Sequence, residues 1–388
     1  GWQAGLLGGA YLRRLVDRTH PSSCIWPAPT LLLVDYAQTL AGPLAGLLLA
    51  LTRLRHTGLP PLRLLLLERQ SGDWFDALLR REDGDGPCAV HDLFHPPESV
   101  PLTPLPPGGL RRQVLKETLE KAARITRQPA PPLPPAGQAD FDASLARPLF
   151  DQPLNLMLAA LAAGELGLPA ALRRERIDLA ESLAEKELRR IERFARDAGN
   201  AAQQRALRHL AACATMERGF TAEELGQAVR GELAALQLTW PDGPGDLAAR
   251  LREALPGEVL PVAPVEPDFV GEALVLAALA RPDGAGTGRW HGWCAAVERC
   301  GRRDPRATPS TLLHAFQNFG HHEAYGEPLL AATDALIRAG LADTEPALLL
   351  GLEGALPHQT VALRPRAAEV TRHLYERPKA AMEAGRDD

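Results

Sequence analysis

Two apolar runs dominate the first seventy residues. Thr30-Leu31-Leu32-Leu33-Val34 ends in Asp35, and Leu62-Arg63-Leu64-Leu65-Leu66-Leu67 ends in Glu68-Arg69. Short runs that are apolar nearly throughout predict strands buried on both faces of a parallel sheet. Between them Leu40, Leu44, Leu47, Leu48, Leu51 and Leu54 recur at helical spacing, and Gly58-Leu59-Pro60-Pro61 closes the stretch. The unit reads as strand, helix, strand with a right-handed crossover, so an α/β domain opens the chain. Residues 100–105 offer a short further strand, and a helix is predicted over 110–127.

The ten residues 128–137 (QPAPPLPPAG) are dense enough in proline for a stiff linker. Beyond them the pattern turns helical. Residues 141–166 read as one helical unit, and 176–198 as a helix laced with arginine and glutamate at i,i+4 spacing. Residues 205–217, 221–229 and 246–254 give three more helices, the second opened by Thr221 with Glu224 completing a capping box. An extended stretch over 258–265 and a last helix over 269–279 complete the outline of a winged helix. From Arg289 onward paired amphipathic helices follow without a clear repeat period. The expected fold class is therefore α/β plus α. The expected domains are an α/β domain over 1–128, a helical domain over 138–200, a winged-helix-like domain over 201–282 and a C-terminal helical region over 286–388.

Composition narrows the partners. At 388 residues and 45% hydrophobic, the chain can bury several cores. Its net charge of -5 leaves no electrostatic footprint for nucleic acid or an anionic membrane, so small molecules and proteins are the expected partners. Five cysteines form an odd set without a Cys-x-x-Cys pair, which fits a reducing compartment better than a disulfide framework. No stretch approaches the roughly 20 apolar residues of a membrane span, and no leader pattern is present, so a cytoplasmic location is expected. A start at Gly1 inside an apolar pattern predicts that the sequence is a piece of a longer chain.

The candidate chemistry sits at the strand tips. A buried strand ending in an acid can hold a magnesium ion beside a phosphate chain, because strand ends open into the crevice at the carboxyl edge of a parallel sheet. Asp35 suits that role, and it equally suits the cap of a following turn. Arg69, at the tip of the next strand, can meet a terminal phosphate or pair with a nearby carboxylate. A glycine loop ending in Gly-Lys-Ser/Thr is missing: none of Lys116, Lys121, Lys186 and Lys379 follows a glycine. The run Gly284-Ala285-Gly286-Thr287-Gly288-Arg289 lacks the lysine and reads as a linker. Cys88, His91 and His95, and the cluster His321-His322-Glu323, lie in polar, turn-rich stretches and read as solvated loop residues.

Leu31-Leu32-Leu33-Val34-Asp35-Tyr36-Ala37, the strand ending in Arg69, and Gly72-Asp73-Trp74 together resemble a bacterial branch of the STAND signalling ATPases, relatives of the NACHT and apoptotic ATPases. Gly1-Trp2-Gln3-Ala4-Gly5-Leu6-Leu7 is similar to the strand that follows the phosphate-loop helix in that family. The likeness implies a partial P-loop sheet lacking its Walker A segment, followed by helical, winged-helix and C-terminal helical regions. It implies ATP or ADP with Mg as cofactors, Asp35 as the metal ligand and Arg69 as the sensor of the terminal phosphate. Asp151-Gln152-Pro153-Leu154 stands where the family carries Gly-x-Pro, which assigns Pro153 to the base; Asp151 replaces the glycine. Glu266-Pro267-Asp268 stands at a Met-His-Asp-like motif, which assigns Asp268 to the nucleotide. Gln38 stands where the branch usually has an acid; a glutamine can orient water but cannot take its proton, so hydrolysis would be slow even with an upstream phosphate loop.

The resulting expectation is a nucleotide-gated signalling switch that relays to protein partners through its C-terminal helices. By itself the chain would be inactive as an ATPase. The alternative is a non-catalytic helical scaffold that keeps a degenerate nucleotide fold. A DNA-binding role is disfavoured, since the candidate recognition segment over 221–230 carries Glu223 and Glu224 against a single arginine, Arg230.

Overall fold

The computed structural model describes residues 1–7, 12, 26–35, 37–54, 58–68, 73–80, 90–96, 98–195, 197, 200–257, 260–279, 292–343, 346–356 and 361–384. It divides into two compact units, Gly1–Thr103 and Pro104–Asp388.

The first unit is built on three parallel strands in the order β1 (Gln3–Leu6), β2 (Thr30–Val34) and β3 (Leu62–Leu66). In β2 and β3, Thr30 pairs with Leu62 and Val34 with Leu66, so the two strands end level. The pairing continues past the strand ends, with the Leu67 amide donating to the Val34 carbonyl at 2.8 Å and the Ala37 amide to the Leu67 carbonyl at 3.2 Å. Helix α1 (Ala41–Leu54) follows β2, and its Leu44, Leu47, Leu48 and Leu51 are buried in a core with Val34, Ala37 and Leu40. Each fully buried leucine contributes about 1.5–3 kcal/mol, which holds the helix on the sheet although isolated helices of this length are marginal. Helix α2 (Asp73–Leu79) adds Leu78 to the same core.

The expectation that both faces of these strands are buried fails for β3. Its burial alternates, with Arg63 and Leu65 exposed, and the Arg63 guanidinium lies over the Trp2 ring at 4.9 Å. Residues 100–105 are extended but pair with no strand among the described residues. Pro101 and Pro104 remove two backbone donors there, and the Leu105 amide bonds the Asp151 carbonyl at 2.7 Å instead.

The second unit is helical. Helix α3 (Gly109–Thr126), which the sequence grouped with the opening α/β domain, falls inside this unit and packs on α5 (Pro153–Leu166). The single helical unit expected over 141–166 is instead α4 (Ala139–Leu145), a 3-10 turn (Pro148–Asp151) and α5, because Pro148 and Pro153 each interrupt the hydrogen-bond ladder. Helix α6 (Leu168–Arg173) follows, then α7 (Arg176–Glu192), which stops short of the expected residue 198.

Helices α8 (Ala201–Met216), α9 (Ala222–Leu236) and α10 (Gly243–Ala254) come next. The Thr221 capping box is present, with the Thr221 amide donating to the Glu224 carboxylate at 2.7 Å and the Glu224 amide to the Thr221 hydroxyl at 3.3 Å. Antiparallel bridges join Val262 to Phe220 and to Pro256. Gly219 makes the bridge to Phe220 reachable: it turns at φ 98°, and a Cβ there would stand 2.6 Å from the Val262 carbonyl oxygen.

Helix α11 (Asp268–Leu279) is apolar nearly all round and correspondingly buried, packing against α7 and α8. At its start Phe269 stacks on Phe319 at 4.9 Å, while the Arg176 guanidinium covers the Phe269 ring at 3.9 Å. Helices α12 (Trp293–Arg303), α13 (Ala307–Phe319), α14 (Gly326–Ala342), α15 (Ala347–Ala355) and α16 (Arg364–Ala384) complete the unit. One core runs from Leu115 on α3 to Val370 on α16, so residues 138–200, 201–282 and 286–388 share it. Among the described residues no helix is long and apolar enough to cross a membrane.

Candidate functional site

At the carboxyl edge of the small sheet, Asp35 follows the fully buried Val34 and is itself exposed. The level ends of β2 and β3 and the hydrogen bonds beyond them put Asp35 and Glu68 on the same edge of the sheet. Arg69 and the glycine of Gly72-Asp73-Trp74 lie outside the described residues, whereas Asp73 and Trp74 open α2. Gln38, three residues after Asp35, sits in the 3-10 turn Ala37–Leu40; its side chain is outside the described part. An exposed carboxylate on a rigid strand tip can bind a hard divalent cation through oxygen.

The other two predicted residues belong to the second unit. Pro153 is the exposed first residue of α5, where its fixed φ and missing amide suit a helix start. Asp268 opens α11, where a negative charge meets the helix dipole, and it pairs with Arg218 at 3.6 Å. Asp151 is held structurally: its carboxylate pairs with the buried Arg111. The same guanidinium donates to the carbonyls of Leu105, Leu145 and Arg147 at 2.7 to 2.9 Å.

Of the loop histidines, His91 is exposed and pairs with Asp92 at 3.0 Å, and His322 accepts from the Ala324 amide at 3.3 Å. Cys88 and residues 284–289 lie outside the described residues.

The densest chemistry lies where the sequence reading assigned none. His209 and Cys213 lie on α8 and Glu217 caps its end, the three spaced four and four along the chain. Glu232 reaches them from α9, and Arg299, Cys300 and Arg303 from α12. His209 Nε2 is 2.7 Å from Glu232 Oε2. Arg299 and Arg303 each reach Glu232 at 2.6 Å, and Arg303 holds Glu217 at 2.7 Å. Arg303 Nη2 also donates to Cys300 Sγ at 3.3 Å, and Cys300 lies beside Cys213.

The environment separates the two thiols. The hydrogen bond from Cys300 and the neighbouring His209 bring the Cys213 thiol down to about 5 against its burial, whereas burial and the adjacent Cys213 push Cys300 up. Burial opposes the charge on His209, but Cys213 and Glu232 outweigh it and carry the imidazole up to about 9. Burial likewise works against Glu232, yet bonds from His209 and Arg299 hold its carboxyl well below the usual range. For Glu217 burial wins over Arg303 and pushes the carboxyl up to about 8. Cys213 and Cys300 are fully buried, so this thiolate and imidazolium meet no dissolved substrate. The one cue in the sequence is the i,i+4 series His209, Cys213 and Glu217 on a predicted helix; the other partners lie up to 94 residues beyond His209 and carry no local signature.

Compared with known proteins, the chain matches no family model, no curated protein and no solved structure.

Proposed function

We propose that the protein is a nucleotide-gated signalling switch, in which the first unit holds the magnesium and phosphate end of ATP or ADP. The observation that supports this most is the placement of Asp35: a carboxylate at the open tip of the middle strand of a parallel sheet, level with the end of the neighbouring strand. Asp35 would hold magnesium, and Arg69, one residue beyond Glu68, would read the terminal phosphate. Three helices, the bridges to Val262 and the following α11 support a winged-helix-like arrangement over residues 201–279.

The reading requires a phosphate loop upstream of Gly1, since converging amides and a lysine supply most of the grip on a triphosphate. Gln38 predicts slow turnover, so the nucleotide would act by state rather than by flux. Calorimetry with magnesium and ATP should therefore show little or no binding by residues 1–388 and clear binding by a chain extended through the native upstream sequence. Tight binding by the short chain, or none by the extended one, would refute the proposal. A helical scaffold is the second reading, favoured by the size of the shared core in the second unit.

A further inference from the structure

We propose that His209, Cys213 and Glu232, with Cys300 as fourth donor, form a structural site for a zinc-class divalent cation. Three of the four groups already converge: one ligand atom each from His209, Cys213 and Glu232 lie within 4.8 Å of one another, and all three residues are buried. Tetrahedral zinc with bonds of about 2.0 to 2.3 Å sets its donors roughly 3.3 to 3.8 Å apart, so modest side-chain adjustment suffices. Cys300 stands beside Cys213 but outside the converged three, and by turning in it would complete a set of two thiolates, one imidazole and one carboxylate, whose soft sulfur and nitrogen donors select zinc over magnesium or calcium.

The surroundings fit a cation despite two arginines. Arg299 and Arg303 face Glu232 and Glu217; once Glu217, pushed up by burial, gives up its proton, those four charges cancel. Binding then releases the protons of the Cys300 thiol and the His209 imidazolium, and the Cys213 and Cys300 thiolates neutralise the two charges of the metal. Arg303, already bonded to Cys300 Sγ at 3.3 Å, can go on donating to that sulfur as a thiolate, as supporting residues do around metal–sulfur sites. No solvent path is needed for turnover, because a structural ion is taken up as the chain folds. Such an ion would tie α8, α9 and α12 together, fixing residues 201–254 to the C-terminal helices independently of any nucleotide.

The test is cobalt substitution in the full chain. Protein produced in cobalt-supplemented medium and purified with a phosphine reductant should carry one cobalt ion per chain, with sulfur-to-cobalt charge-transfer absorption and the intense visible bands of a tetrahedral ion. The same protein produced in zinc-supplemented medium should carry zinc and lack both. Wild-type protein without stoichiometric metal and without these bands overturns the proposal, whatever the variants do. Cys213→Ser and Cys300→Ser, checked for helical circular dichroism, should each weaken zinc binding by more than the roughly 10- to 100-fold expected of a merely supporting residue. A folded double variant with unchanged cobalt bands also overturns it.

Discussion

Arg111 shows how a single side chain can set the shape of a connection. It is buried, and its guanidinium serves the carbonyls of Leu105, Leu145 and Arg147 and the carboxylate of Asp151. Arg111→Ala would leave those acceptors without their donor inside the fold, and each buried unsatisfied group costs about 1–3 kcal/mol. Urea unfolding of the variant should show a loss of roughly 3–5 kcal/mol, in the range of broken buried pairs. A loss below about 1 kcal/mol would mean that water replaces the guanidinium. Asp151 illustrates a limit of reading residues by local pattern: its carboxylate is held by an arginine forty residues away. No local pattern in the sequence announces that pairing.

Among the elements, the turn between α8 and α9 concentrates two requirements within three residues. Gly219 turns with φ 98°, and Thr221 caps α9 reciprocally with Glu224. Thr221→Ala should cost about 1 kcal/mol, the usual worth of such a cap. Gly219→Ala should cost more, because it adds strain at positive φ and a clash with the Val262 carbonyl, and it should loosen the bridge to Phe220. Thermal unfolding of both variants checks the order; a Gly219→Ala chain as stable as Thr221→Ala would contradict it. The capping box was legible because Thr-x-x-Glu before an apolar run is a local signal. So were β2, β3 and α1, whose leucines carry their period in the sequence. Residues 100–105 misled because their apolar pattern is strand-like while two prolines deny the ladder its donors. The cluster at His209 was illegible for the opposite reason: its members come from three separate segments, and only His209, Cys213 and Glu217 are neighbours by helical spacing within the predicted pattern.

For the whole molecule, the division falls between Thr103 and Pro104, ahead of the proline-rich residues 128–137 that suggested a boundary. Pro134 stays in the helical unit, its carbonyl held by Arg112. Residues 104–388 should therefore fold alone, with helical circular dichroism and one cooperative urea transition; a chain beginning at residue 138 should be less stable, since it loses Leu115 and Leu119 from the core. Equal stability of the two would place the boundary at the prolines instead. In the other unit, the proposed switch rests on Asp35 holding the magnesium of a bound nucleotide. The most direct measurement is the magnesium dependence of ATP affinity in the upstream-extended chain, with and without Asp35→Asn. The account predicts that magnesium strengthens wild-type binding at least about tenfold, equivalent to roughly 1.4 kcal/mol, and that Asp35→Asn removes this gain. An Asp35→Asn chain that keeps the full magnesium effect would contradict it.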